Sequence, residues 1–347
     1  MPAPEAIKVP ENANYDVLTF GRTSIDLYSN DLGAPFEEIG SFGAFVGGSS
    51  TNIAVSCARL DLNTALLTAV GNDQVGKFVM RFLKDEGIET KFIPTINGTR
   101  TSAVILGIEP PDKFPLVFYR DNASDLKINI DHVLATNVSQ FKTVVLSGNA
   151  LSKDPSKTAT LFAAEEANKA RVPVILDLDF RADQWFDPRA YGVMVRSLLP
   201  RVGIVIGTEE EILAASLQDA SQISIKHQQV SAPEIKGDLE RAIDSILATG
   251  VEVLIVKRGA DGCSLFCKGK AEEKVPGFPV EILNVLGAGD AFAGGFVYGY
   301  LNGWSLYKAC RMGNACGAIL VTRHGCANFM PSVAEVEGFV DEFGGLD

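Results

Sequence analysis

Asp290 stands in the run Asn284-Val285-Leu286-Gly287-Ala288-Gly289-Asp290-Ala291-Phe292-Ala293-Gly294-Gly295-Phe296, where small residues precede one carboxylate and an apolar stretch of helical length. The pattern predicts a tight turn opening a helix. Glycine at 287 and 289 can take backbone angles that other residues resist. The first-turn N–H groups then stand bare at the positive end of the helix dipole, which makes an anion site. A carboxylate beside a bound phosphate is repelled, so its presence there calls for a chemical reason. General base catalysis supplies one. Asp290 would take a proton from an attacking hydroxyl while the N–H groups of 287–289 hold the charge developing on a phosphoryl group. A positioned base contributes roughly 100- to 10,000-fold, and one oxyanion donor about 3 kcal/mol. An ordinary helix cap uses the same residues, and this segment alone does not choose between the two readings.

Other residues gain meaning from their place at strand ends. Gly47-Gly48 followed by Asn52 is a second flexible entry into a helix, open either to a ligand or to plain capping. Asp26 lies a few residues past an apolar run, and Asp177, Asp179 and Arg181 follow another. Ligands of α/β sheets gather at such ends, and an Arg there can clamp a phosphate or carboxylate. Salt bridges among these neighbours, and an exposed edge charge at Arg120, are the plainer alternatives. Glu209-Glu210-Glu211 opens a helix, as dipole compensation or as water-mediated magnesium contact. Lys257-Arg258-Gly259-Ala260-Asp261-Gly262 is a sharp turn, either a hairpin or a slot for a flat ring. Gly71-Asn72-Asp73-Gln74-Val75-Gly76-Lys77-Phe78 nearly matches a phosphate-binding P-loop, but Phe78 replaces the magnesium-binding hydroxyl, so a structural turn is expected. Gly287-x-Gly289 lacks the βαβ context of a dinucleotide fingerprint. The three His residues (132, 227, 324) are scattered and indicate neither a metal site nor a triad.

The elements that must hold these residues come in two patterns. From Val144 on, short apolar runs alternate with helical segments, which predicts a parallel sheet covered on both faces. Runs near 27–46, with Thr101–Ile108 and Leu116–Arg120 around Pro110-Pro111, predict a small separate sheet. Residues 1–14 read as a tail and 15–347 as one domain. The polar segment 216–237 is expected to be an excursion loop.

With 347 residues, 46% of them hydrophobic, the chain can bury a large core. A net charge of −12 argues against nucleic acid and anionic membrane as partners. No apolar run approaches the roughly 20 residues that span a bilayer. Six Cys without a CxxC pair read as buried free thiols of a reducing cytoplasm.

Taken together, in this order and spacing, the pieces resemble the PfkB/ribokinase-like carbohydrate kinases from about Tyr15 to Phe343. Gly47-Gly48-x-x-x-Asn52-x-Ala54 is similar to the family's N-terminal signature and Gly287-Ala288-Gly289-Asp290 to its more specific C-terminal one. The resemblance implies a three-layer α/β/α sandwich with a mostly parallel sheet and a small β lid over 27–46 and 98–125. It implies in-line phosphoryl transfer from ATP to a sugar hydroxyl, with Asp290 as base and the 287–289 backbone as anion hole. Asp26, Gly47, Gly48 and Asn52 would contact the sugar, Gly259, Gly262 and Asn314 the adenine, and Glu210 the Mg2+. Two positions depart from the pattern: Gly207 replaces the Asn of the magnesium motif, and Asn284 replaces the Asp that opens the C-terminal signature. The second departure weakens the case for a monovalent cation. Gly21–Leu27, Val46–Ser49, Tyr119-Arg120, Leu178–Arg181 and Ile206–Glu211 look closest to the members that phosphorylate 5-dehydro-2-deoxygluconate in inositol breakdown. A sugar acid needs cations, and Arg22, Arg120 and Arg181 fall near the expected cleft. A 2-dehydro-3-deoxygluconate kinase, a fructokinase and a catalytically silent binding protein are the alternatives. Family resemblance also points to a homodimer through the lid.

Overall fold

The computed structural model describes residues 8–10, 13–110, 113–224 and 233–346. Its strands in chain order are β1 (Tyr15–Phe20), β2 (Ser24–Ser29), β3 (Phe42–Gly47), β4 (Thr64–Leu67), β5 (Val70–Gly71), β6 (Thr95–Ile96), β7 (Ser102–Leu106), β8 (Leu116–Tyr119), β9 (Phe141–Ser147), β10 (Val174–Asp177), β11 (Ile204–Thr208), β12 (Ile223–Ser224), β13 (Glu234–Ile235), β14 (Val253–Lys257), β15 (Cys263–Cys267) and β16 (Glu273–Val275). The helices are α1 (Ser49–Arg59), α2 (Gln74–Asp85), α3 (Ile130–Thr136), α4 (Ser156–Lys169), α5 (Pro188–Leu198), α6 (Glu209–Ala215), α7 (Leu239–Leu247), α8 (Ala288–Leu301), α9 (Leu306–Val321) and α10 (Val333–Asp341).

Continuous Val/Ile/Leu runs make strands that are buried on both faces. They form an 8-stranded sheet in the order β16-β15-β14-β11-β10-β9-β1-β4. Pairing is parallel from β4 through β14 and antiparallel only at the β15–β16 edge. Alternate residues serve opposite layers. Val145, Ile175, Ile204 and Val253 pack with Ile53 of α1 and Phe292 and Phe296 of α8. Val144, Leu176, Val205 and Leu254 pack with Ala163 of α4, Tyr191 of α5 and Ile212 of α6. This is the expected three-layer α/β/α sandwich. Because β1 sits between β4 and β9, the connections leave it in opposite directions. That opens a crevice at the carboxyl ends of these strands.

A second, 4-stranded sheet, β3-β2-β7-β8, forms the lid. It begins at Ser24, three residues before the expected start at 27, because the β2 register with β3 runs back to the Ser24–Gly47 pair. Tyr28, Val104, Leu106 and Leu116 pack its inner face against Cys326. The segment expected as a loop over 216–237 contributes the antiparallel pair β12–β13; its residues 225–232 lie outside the described residues, as does most of the tail expected over 1–14. Among the described residues, no helix is long and apolar enough to cross a membrane. All six cysteines are buried free thiols.

Candidate active site

The turn into α8 is built by Gly287, whose φ of +83° suits glycine. Asn284 braces it from below: its Oδ1 accepts the Leu286 N–H at 3.0 Å and its Nδ2 donates to the His324 carbonyl at 3.0 Å. The Ala288 N–H donates to the Val285 carbonyl at 3.3 Å. The N–H groups of Gly287, Gly289 and Asp290 meet no acceptor among the described residues. The bare donors are therefore those of 287, 289 and 290, and Ala288 is not one of them. Gly289 is not in the left-handed region; it is needed for space, since a Cβ there would lie 2.8 Å from Lys257 Nζ.

Asp290 projects from the first turn of α8 toward α1. The two helices approach closely because residue 294 is glycine; a Cβ there would lie 2.2 Å from Ser56 Oγ. That approach lets Asn52 Nδ2 donate to Asp290 Oδ2 at 2.7 Å. Asp290 is half-buried at the bottom of the cleft. Burial raises its pKa to about 6, helped by the Asp179 charge and opposed by the Asn52 hydrogen bond and by Arg181.

Beneath this turn the ends of β10, β11 and β14 bring together Asp177, Asp179, Arg181, Glu211 and Lys257. Arg181 pairs with Asp179 at 2.7 Å and reaches Glu211 at 3.8 Å. Ser147 Oγ donates to Asp179 at 2.8 Å. Glu211 accepts the N–H groups of Phe180 at 3.2 Å and Thr208 at 2.8 Å, the latter as half of a capping box. Lys257 Nζ lies 3.7 Å from Asp177 and 3.9 Å from Glu211. Burial drives the Asp177 carboxyl upward, against the pull of Lys257. Burial also pulls Lys257 down, but Asp177 and Glu211 outweigh it and hold the ammonium above its usual range.

On the lid side, Asp26 rests against the bare backbone of Gly47, where a Cβ would lie 2.0 Å from Asp26 Oδ2. Burial raises the Asp26 carboxyl, opposed by Arg22 and by the Ser24 hydrogen bond. Arg22 donates to Ser24 Oγ at 2.9 Å, and Ser24 donates to Asp26 Oδ1 at 2.6 Å. The Arg22 guanidinium stacks 5.0 Å from the Phe118 ring, and its buried Nε has no partner. Gly48, with φ +102°, opens α1 over the Arg22 carbonyl. Arg120 is no exposed edge charge: it is buried and donates from Nε and NH2 to Asp125 Oδ2 at 2.9 and 2.6 Å.

On the far side of Asp290, Gly262 (φ +89°) lets the 259–262 turn approach residues 275–277, where a Cβ would lie 2.2 Å from the Val275 carbonyl. Gly259 faces open space. Asn314 Nδ2 donates to the carbonyls of Val275 and Pro276 at 3.2 and 2.9 Å, so it shapes this rim by holding its loop. Glu210 is half-buried in the first turn of α6. At Gly207 a Cβ would lie 2.5 Å from Leu178 Cδ1, so Leu178 occupies the space that an Asn side chain at 207 would need. In the P-loop-like segment Asp73 caps α2 by accepting the Gly76 N–H at 2.7 Å, and it also accepts from Thr101, as befits a structural turn.

The profile of the pfkB family carbohydrate kinases matches residues 14–333. The chain is 32% identical over 331 residues to the 5-dehydro-2-deoxygluconokinase of Geobacillus thermodenitrificans, covering 95% of this chain and 94% of that protein. It is 33% identical over 337 residues to the protein of the same name from Clostridium tetani, covering 97% and 96%. The chain belongs to the PfkB family of carbohydrate kinases. Its fold is similar to that of an E. coli putative ribokinase II in complex with ATP and Mg2+, with TM-score 0.82, 23% identity and coverage of 94% and 99%. A fructokinase double mutant from Vibrio cholerae, in its fructose, ADP and potassium bound form, has TM-score 0.80 at 22% identity, covering 95% and 99%.

In this PfkB chain the crevice joins Asp290, Asn52 and the 287–290 turn directly. Arg181 approaches through Asp179 and Glu211, while Asp26 and Arg22 form the lid side. Sequence reasoning gave Glu211 and Lys257 no role of their own. Glu211 was readable, since Thr208-x-x-Glu211 is a capping-box pattern. Lys257 was not, because its neighbour Gly289 is distant in sequence.

Proposed function

We propose that this carbohydrate kinase transfers the γ-phosphoryl group of ATP to a hydroxyl of a small sugar acid, 5-dehydro-2-deoxygluconate being the best candidate. The observation that carries the acid is Arg22, a buried guanidinium at the crevice whose Nε has no partner. A carboxylate satisfies such a fork, whereas a neutral sugar leaves it unpaired. Arg120 and Arg181 are already engaged by Asp125 and Asp179, so Arg22 takes the main part and the other two shape the wall. The full-length likeness to proteins named 5-dehydro-2-deoxygluconokinase supports the same acid.

Asp290 takes the hydroxyl proton, Asn52 orients its carboxylate, and the bare N–H groups of the turn hold the phosphoryl oxygens. Gly259, Gly262 and the loop held by Asn314 receive the adenine. Among the described residues no three acidic, His or Cys side chains are grouped as a metal cage, so magnesium would ride mainly on the nucleotide phosphates; Asp177 Oδ2, buried without a hydrogen-bond donor, is the protein oxygen left open to it. Glu210 would hold the ion through water, and the ion supplies charge neutralisation on the nucleotide phosphates. Asn284 spends one end of its amide on the Leu286 N–H of the turn and the other on the His324 carbonyl, which disfavours a monovalent cation there. Six buried free thiols suit a cytoplasmic enzyme. The outer face of the lid, with Val117 and Tyr119 38% and 58% exposed, would pair two copies; a monomer at every concentration in sedimentation would remove that pairing.

The deciding experiment is ATP turnover with magnesium over 5-dehydro-2-deoxygluconate, 2-dehydro-3-deoxygluconate and fructose, with potassium or tetramethylammonium as the salt. Turnover confined to an acid, in either salt, is expected. Preference for fructose would sink the role of Arg22, and dependence on potassium would sink that of Asn284.

A further inference from the structure

Lys257 ends β14 with its side chain only 13% exposed. Its ammonium lies against the α8 turn: the point where a Gly289 side chain would begin is 2.8 Å from Nζ. A lysine that served to neutralise Asp177 would close to about 2.8 Å, as Arg181 does on Asp179 at 2.7 Å. Instead, Nζ stands 3.7 Å from Asp177 and 3.9 Å from Glu211, beyond hydrogen-bond reach of both. Glu211 already accepts two backbone N–H groups. The two carboxylates thus hold the ammonium in place and leave its donors unspent. Those donors lie against Gly289 of the turn, whose N–H, like that of Gly287, meets no acceptor among the described residues. A buried charge with unspent donors needs an anionic acceptor.

We propose that Lys257 is a catalytic residue of the phosphoryl transfer, its ammonium and the Gly287 and Gly289 N–H groups together holding the oxygens of the group in flight. The inference rests on the kinase reading above. In the step, the bond from the γ-phosphorus to the bridging oxygen breaks, and its electron pair leaves with ADP. A new bond forms from the γ-phosphorus to the sugar oxygen, whose proton passes to Asp290. Lys257 exchanges no proton; its fixed charge offsets the charge on the transferred oxygens. Glycine at 289 is required so that this ammonium can reach the turn.

The experiment compares the full-length wild type with Lys257→Met and Lys257→Arg in the presence of magnesium. It measures kcat and the calorimetric affinities for ADP and for a non-hydrolysable β,γ-imido analogue of ATP. Lys257→Met is expected to lower kcat by roughly 100- to 1,000-fold and to weaken the triphosphate analogue by about tenfold. ADP affinity and the sugar KM stay unchanged, and Lys257→Arg recovers part of the loss. Wild-type kcat in Lys257→Met, or equal loss of both nucleotides, overturns the proposal and leaves Lys257 as a counter-ion of Asp177. If Lys257→Met does not fold, Lys257→Met with Asp177→Asn is compared with Asp177→Asn alone, and the same triphosphate-to-diphosphate ratio decides. A wild type that binds neither nucleotide overturns the kinase reading as well.

Discussion

On the proposed mechanism, Asp290 carries both a cost and a function at one atom pair. Its carboxylate is desolvated at the bottom of the crevice, and the Asn52 bond at 2.7 Å recovers only part of that cost. A base must be ionised to accept a proton, so kcat is expected to fall as pH drops through the Asp290 pKa of about 6. Asp290→Asn keeps the shape and removes the base; turnover should drop by roughly 100- to 10,000-fold while ATP binding persists. Stability should move the other way. The folded pKa of about 6 lies above the ordinary 3.8, so ionisation of Asp290 penalises the fold as pH rises between these values. Thermal melts should show Asp290→Asn more stable than wild type above pH 6, the gap closing toward about pH 4. Equal melting temperatures at pH 7.5 would mean that the carboxylate is better solvated than its surroundings imply.

At the scale of elements, strand ends and helix starts converge because each carries the residue that the next one lacks. The start of α8 has bare donors, β14 supplies a cation, and α6 uses Glu211 both to cap itself and to hold that cation. The Gly207 departure is explained at this scale. Leu178, fully buried after β10, fills the volume beside β11. Gly207→Asn is therefore expected to destabilise the fold by about 1–3 kcal/mol through overpacking, read as a lower denaturation midpoint with an unchanged slope. An undiminished midpoint would show that Leu178 can move aside and that the family's Asn could have been accommodated.

At the scale of the molecule, the crevice lies between a rigid sheet and a smaller lid. Arg22 follows β1 of the large sheet, and Phe118 of the lid stacks on it. On the proposed reading, substrate charge and lid position would be read by one side chain. Arg22→Ala should raise KM for the sugar acid by roughly tenfold or more, the loss of a charge-assisted pair, with little change in kcat or in KM for ATP. Equal loss for acid and fructose would assign Arg22 to holding the lid instead.

Much of this was legible in the chain. The Val/Ile/Leu runs specified buried parallel strands, because a strand covered on both faces has no polar side to show. The small-residue turn before Asp290 specified a helix start with free donors, because glycine removes the side chains that would cap them. Asn52 and Asp26 were readable as candidates from their places after strand ends. Tertiary structure decided what spacing does not encode. It showed Gly289 as room for Lys257 and not as a bend, and Arg120 as buried on Asp125. It also made Glu211 the acid at the crevice floor and Asn284 a brace. Each outcome depends on which side chain arrives from a distant strand, and burial then sets its partner and its charge.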